Sequence, residues 1–247
     1  MSAKAEHTAT TDASVAEVVD ALTDWFAQRF DSLRGLSCDL ISLLRFDDQG
    51  LLDLTETSRR RLKGAAVHYL ADHPVIDGCG LIFAHSALGT PNGHLEWWVR
   101  EDETRFARYS FGVVPGADRY YDYEQHEWFI RAFNEGVPAL VGPYIDYLGV
   151  EAYVLTLTVP AEVNGVRVGA VGNDIQAEDL ESELLPMLQR ADRELALIGR
   201  HGNVLLSNTS RWLPGEHFTA AATEGERIQL LPGSRDVQLV VISAEGR

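Results

Sequence analysis

Residues 120–174 read YYDYEQHEWFIRAFNEGVPALVGPYIDYLGVEAYVLTLTVPAEVNGVRVGAVGND. The first half gathers aromatic and acidic side chains: Tyr120, Tyr121, Tyr123, Trp128, Phe129, Tyr144, Asp146 and Tyr147. The second half alternates apolar and polar residues on either side of Asn164-Gly165, a pair suited to the two positive φ angles of a tight hairpin turn. The pattern predicts a helix and a hairpin closing a small-molecule pocket. Tyr144 and Asp146 are two apart, so in an extended segment they share a side. A buried carboxylate is costly unless paired, so inward-facing Asp146 and Asp174 require a cation or hydrogen-bond donors. Arg131 is the main protein cation nearby. A ligand ammonium would satisfy both acids, and Trp128 and the tyrosines would add cation–π contact worth roughly 0.5–2 kcal/mol. Taken alone, Asp174 reads as a cap for the helix that follows; taken together, the set reads as a pocket.

Upstream of this stretch, residues 1–11 are small and polar and read as a disordered tail. From Asp12 the pattern is helical: Val15, Val18, Val19, Leu22, Trp25, Phe26, Phe30 and Leu33 form one wide apolar stripe, with Gly35 as its expected stop. A core-facing helix is the simplest reading. The aromatic cluster Trp25, Phe26 and Phe30 also suits a dimerisation helix. Ser37 to Phe46 reads equally as helix or strand. Thr55 to Asp72 is helical and ends before His73-Pro74. The period then changes to that of strands at Gly80–His85, Leu95–Arg100 and Phe106–Val113, which together predict an antiparallel meander.

Downstream, Ala177 to Arg190 is again helical, with acids in its first turn. Leu195–Gly199 and Val204–Ser207 read as a hairpin, and Arg227–Leu231 and Val237–Ile242 as closing strands. Domain organisation is therefore expected as a tail (1–11), a helix with a ligand-binding module (12–191) and a small β-rich module (192–247).

Composition excludes several classes. The 247 residues carry a formal net charge of −16, which argues against a nucleic-acid partner, because phosphate neutralisation needs clustered Lys and Arg. The one basic run, Arg59-Arg60-Arg61-Leu62-Lys63, is expected to decorate the solvated face of its helix. Cys38 and Cys79 are too few for a disulfide scaffold and read as buried free thiols. A secretory signal pattern and an apolar run of membrane-spanning length are both missing, so a cytoplasmic protein without a membrane partner is expected.

Catalytic and metal readings fail on spacing. His85, His94 and Glu96 lack a metal-ligand spacing, and Ser86, Ser207 and Ser210 sit in no nucleophile elbow. Asp47-Asp48-Gln49-Gly50 departs from a calcium loop at its third, fifth and glycine positions. Gly78 and Gly80 begin a G-x-G that breaks at Phe83. No enzyme activity, cofactor or metal is expected.

Tyr121, Trp128 and Phe129, followed by Gly142-Pro143-Tyr144-Ile145-Asp146, Leu155 to Pro160 and Val168 to Ile175, resemble the ligand-binding half of a Cache domain. Such domains are PAS-like sensor modules of bacterial chemoreceptors and sensor kinases. The likeness runs from about Gly80 to Leu185, and Ile198 to Pro214 resembles the start of the second module of double-Cache proteins. The resemblance implies an α+β fold: a long N-terminal helix packed on a PAS-like antiparallel sheet, then a smaller β-rich module. It also implies ligand-binding roles for Tyr121, His126, Trp128, Phe129, Tyr144, Asp146 and Asp174. His126 stands where the amino-acid-binding members carry an arginine, and Phe129 where they carry a second tyrosine. Histidine cannot offer the two-pronged grip of a guanidinium on a carboxylate, so the amine half of the site is kept and the carboxylate half altered. The function implied is sensing of a small amine or amino-acid-like ligand, reported through an unidentified partner protein or a homodimer built on the N-terminal helix. The alternative is a protein-interaction module whose pocket is filled by its own side chains.

Overall fold

The structure, a computed structural model, describes residues 2–109, 112–117, 120–145, 153–218 and 226–242, with side chains from Val15 onward except those of Glu226 and Ile242. The fold is α+β, with a long N-terminal helix, a six-stranded and a four-stranded antiparallel sheet. It divides into two compact units. One comprises Met1–Arg29, Val141–Tyr144 and Ala177–Arg247; the other comprises Phe30–Leu140 and Ile145–Gln176.

Helix α1 (Ser2–Ser42) runs through Gly35 instead of stopping there. A mid-helix glycine costs roughly 0.5–1 kcal/mol relative to alanine. That cost is offset because the extension buries Leu36 and Leu40, and the Ser37 hydroxyl donates to the Pro160 carbonyl at 3.5 Å. The ambiguous segment after Gly35 is thus helical to Ser42. Trp25 and Phe26 are 5% and 4% exposed. Trp25 Nε1 donates to Glu183 at 3.3 Å, and the Arg29 guanidinium lies 4.9 Å from its ring. The aromatic surface invoked for a dimer through this helix is therefore covered within the chain itself at these two residues.

Helix α2 (Glu56–Asp72) buries Leu62, Ala66, Tyr69 and Leu70. Its first turn is closed by the Thr55 hydroxyl, which accepts from the Ser58 amide at 3.1 Å. Thr55→Ala is expected to cost about 1 kcal/mol, read as a lowered urea midpoint, because it orphans that amide.

The larger sheet contains β1 (Gly78–Phe83), β2 (His94–Arg100), β3 (Phe106–Tyr109), β4 (Ala139–Ile145), β5 (Tyr153–Val163) and β6 (Val166–Gln176) in the order β3-β2-β1-β6-β5-β4. A short helix α3 (His85–Leu88) follows β1, and β1, β2 and β3 form the expected meander. The turn between β5 and β6 has Asn164 at φ 51° and Gly165 at φ 80°, both left-handed, as a two-residue hairpin demands. Pairing slips once along this hairpin. Glu162 faces Arg167, but Ala161 faces Gly169, leaving Val168 as a bulge.

Directly opposed residues share a face, so the register defines two surfaces. One carries Asp174 and Gly172, Gly78 and Gly80, Trp97 and Val99, Thr156 and Thr158. The other carries Asn173, Cys79, Leu81, Glu96, Trp98 and Arg108, and α2 packs on it: Asn173 Nδ2 donates to the Tyr69 hydroxyl at 2.9 Å. Gly80 lets adjacent strands approach, since a Cβ there would lie 2.0 Å from the Glu96 carbonyl oxygen. At Gly78 it would lie 2.8 Å from Trp97 Nε1, so that indole occupies the space above the glycine.

In the other unit, helix α5 (Ala177–Leu188) buries Leu180, Leu184 and Leu188. The strands β7 (Leu195–Gly199), β8 (Val204–Ser207), β9 (Glu226–Leu230) and β10 (Val237–Ile242) form the order β8-β7-β10-β9. Ala196, Ile198, Val204, Phe218 and Val240 make its core, with Trp212 against them. Among the described residues no helix is long and apolar enough to cross a membrane. Cys79 is buried as expected, but Cys38 is exposed, on the outer side of α1.

Candidate functional site

The segment before β4 reaches the sheet in three short pieces: a 3-10 turn (Tyr123–Gln125), helix α4 (Glu127–Phe129) and a π-helical turn (Ile130–Glu135). One continuous helix was expected. The wider π turn, a feature often found at functional sites, ends at Gly136 in the left-handed conformation. Arg167 Nη1 donates to the Phe133 and Asn134 carbonyls, satisfying acceptors that a helix end leaves open.

Side chains bolt this segment down. The Tyr123 hydroxyl donates to the Phe83 carbonyl at 2.6 Å and accepts from the His94 amide at 3.1 Å. Glu124 accepts from the His85 amide at 2.7 Å and lies 3.3 Å from its Nδ1. The Thr158 hydroxyl donates to the Trp128 carbonyl at 2.9 Å. Because Thr158 and Asp174 share a sheet face, this bond places Trp128 over the face that carries Asp174.

Three rings make a row on this segment. His126 lies 4.4 Å from the Tyr121 ring and 6.0 Å from that of Trp128, nearly parallel to the latter at 16°. Phe129, fully buried, meets Trp128 edge-on at 5.9 Å. Burial pushes the His126 imidazole below its ordinary pKa, against the raising influence of Asp122, so the ring is neutral at pH 7. Asp174 is half-buried on β6, and its Oδ1 accepts from the Thr156 hydroxyl across the hairpin at 2.6 Å.

The expected residues are thus distributed as follows. Tyr121, His126, Trp128 and Phe129 form one aromatic segment, and Asp174 stands on the sheet face beneath it. Tyr144 stands half-buried on β4, in the stretch 141–144 that clusters with the first unit. Asp146 lies outside the described residues. Arg131, the cation expected beside the acids, is 3% exposed, with its Nε 3.8 Å from Glu135. Sequence reasoning missed Thr156 and Thr158. Their alternation along β5 was a usable signal, but the face they share with Asp174 depends on the bulge at Val168.

The discarded candidates have structural work instead. The Asp47 carboxylate accepts from the Gln49 and Leu51 amides at 2.8 and 2.9 Å and shapes a turn. Among the described residues no cluster of three metal-ligating side chains occurs. The buried Cys79 thiol is pushed well above its ordinary pKa by burial and by the Asp174 charge, so it is no nucleophile.

No family model matches the chain, and no curated protein sequence does. Solved structures do. The sensory domain of the Campylobacter jejuni chemoreceptor Tlp3 is similar with a TM-score of 0.67 at 11% identity, covering 98% of this chain and 95% of that one. The ligand-binding domain of the Pseudomonas fluorescens chemoreceptor CtaA, solved with L-valine, gives 0.64 at 14% identity, over 98% and 99%. A methyl-accepting chemotaxis protein X gives 0.62 at 17% identity, over 96% and 97%. The chain shares the α+β fold of these chemoreceptor domains along almost its whole length.

Proposed function

We propose that this protein is a Cache-type sensor that binds a small amine or amino-acid-like ligand and reports binding through a partner protein or a change in its own dimer. The observation that carries this reading is Asp174, oriented by Thr156 on the sheet face over which Trp128 is fixed. A carboxylate beside aromatic rings is the chemistry that recognises an ammonium. The similar domains solved with L-valine, isoleucine and L-norvaline support an amino-acid-sized guest. Signalling requires that ligand and partner each bind two states of the protein with different affinity. No catalytic residue is assigned.

The test is a thermal-shift panel of amino acids and amines. Saturable stabilisation by at least one is expected, and His85→Ala, which loses the imidazole's contacts with Glu124 and the Tyr123 ring, should keep it. A panel without any shift overturns the reading.

His126 sets a second expectation. A neutral imidazole gives a ligand carboxylate little, whereas a guanidinium grips it with two parallel bonds. His126→Arg should therefore tighten binding of an α-amino acid about tenfold and leave the matching simple amine unchanged by calorimetry. In the wild type, a bound carboxylate would favour the imidazolium and raise the His126 pKa in the complex. Amino-acid affinity is then expected to rise as the pH falls from about 7.5 towards 5.5, while amine affinity stays flat.

A further inference from the structure

The basic run of α2 does not all face solvent. Glu56, Arg59, Arg60 and Lys63 recur at the three- and four-residue spacing of one helical face. With Glu96, Trp98 and Arg108 they line a cavity of about 260 Å³. Glu96, Trp98 and Arg108 belong to the sheet face opposite the one that carries Asp174. In a chain of net charge −16, four cationic side chains thus meet two carboxylates in this one wall.

Both carboxylates are already engaged. Glu96, 1% exposed, takes Arg59 Nε at 2.7 Å, His94 Nε2 at 2.8 Å and Arg108 Nη2 at 3.2 Å on a single oxygen. Glu56 lies 3.4 Å from Arg60 Nε. Donors nevertheless stay in excess. A guanidinium has five N–H groups, and Arg59 spends only its Nε on a protein acceptor among the described residues. Among the described residues Lys63 makes no ion pair, though it lines the cavity, and the buried Trp98 Nε1 bonds no acceptor. A wall rich in donors and poor in free acceptors selects a guest that only accepts.

We propose that this cavity binds a small oxyanion, either a phosphate group or the carboxylates of a small organic acid, independently of the amine site on the other face. Arg60 and Lys63 supply charge at the rim, and the N–H groups that Arg59 does not spend on Glu96, and Arg108 on Glu96 and the Leu95 carbonyl, supply directed hydrogen bonds.

The Trp98 indole N–H gives a local probe. Its resonance in ¹⁵N-labelled protein, assigned with Trp98→Phe, would be followed during titration with sodium phosphate and with sodium succinate, each against sodium chloride at equal ionic strength. A saturable shift with phosphate, succinate or both is expected, and the stronger of the two identifies the source of the oxyanion. Arg60→Ala/Lys63→Ala, two exposed positions, should weaken it about tenfold. A shift that chloride reproduces, one that the double variant leaves intact, or none at all overturns the proposal.

Discussion

Asp174→Ala is expected to abolish ligand-induced stabilisation, weakening binding of the amine or amino acid at least about thirtyfold. The size follows from what the side chain does. Its carboxylate is half-buried and oriented by the Thr156 hydroxyl at 2.6 Å, so little freedom is lost when a cation docks. Removing it leaves the ligand ammonium desolvated without its counter-charge, which costs more than a rim ion pair is worth. Thr156→Val, which keeps the shape and loses the hydroxyl, should give a smaller loss of the same kind. Calorimetry on the two variants separates the roles: a charge contact predicts a large effect for Asp174→Ala and a partial one for Thr156→Val. Unchanged affinity in Asp174→Ala would remove this residue from the site.

The second large effect concerns stability. Glu96→Ala is expected to lower unfolding free energy by about 3 kcal/mol, measured by urea unfolding followed through tryptophan fluorescence. Three donors converge on one buried carboxylate oxygen, joining α2 to β2 and β3. Without it Arg59 and Arg108 face each other unneutralised. Their side chains are 31% and 40% exposed, so water relieves part of the penalty and the loss falls at the lower end for a broken buried pair. Burial alone would raise the Glu96 pKa; the hydrogen bonds from His94 and Arg59, with the Arg108 and Arg59 charges, outweigh it and hold the value below the ordinary range. A carboxylate depressed in the folded state stabilises at pH above its unfolded value of about 4.3 and loses that contribution as pH falls through the folded value. The stability gap between wild type and Glu96→Gln should accordingly close on acidification below pH 4.

Strand alternation already put His94, Glu96 and Trp98 on one side of β2, yet nothing in their spacing named Arg59 as the partner. The same holds for Cys38: a free thiol is expected to be buried, but it lies on the exposed side of α1, while Leu36 and Leu40 on the same helix are buried. Trp25 and Phe26 read first as core and second as a dimer surface, and their coverage within the chain agrees with the first.

What the sequence determined by itself was local. Asn164-Gly165 dictated a hairpin because few other pairs tolerate two positive φ angles. The stripe from Val18 to Leu33 dictated a buried helix because its period matches 3.6 residues per turn. The tertiary structure decided register and face. Without the bulge at Val168, the two-residue hairpin would place Asp174 opposite Leu155; with it, Asp174 meets Thr156 and shares a face with Thr158, which holds Trp128. The physical reason is the pleat: side chains alternate with period two, so a one-residue slip, set where β6 must pair with both β5 and β1, moves a carboxylate from one side of the sheet to the other.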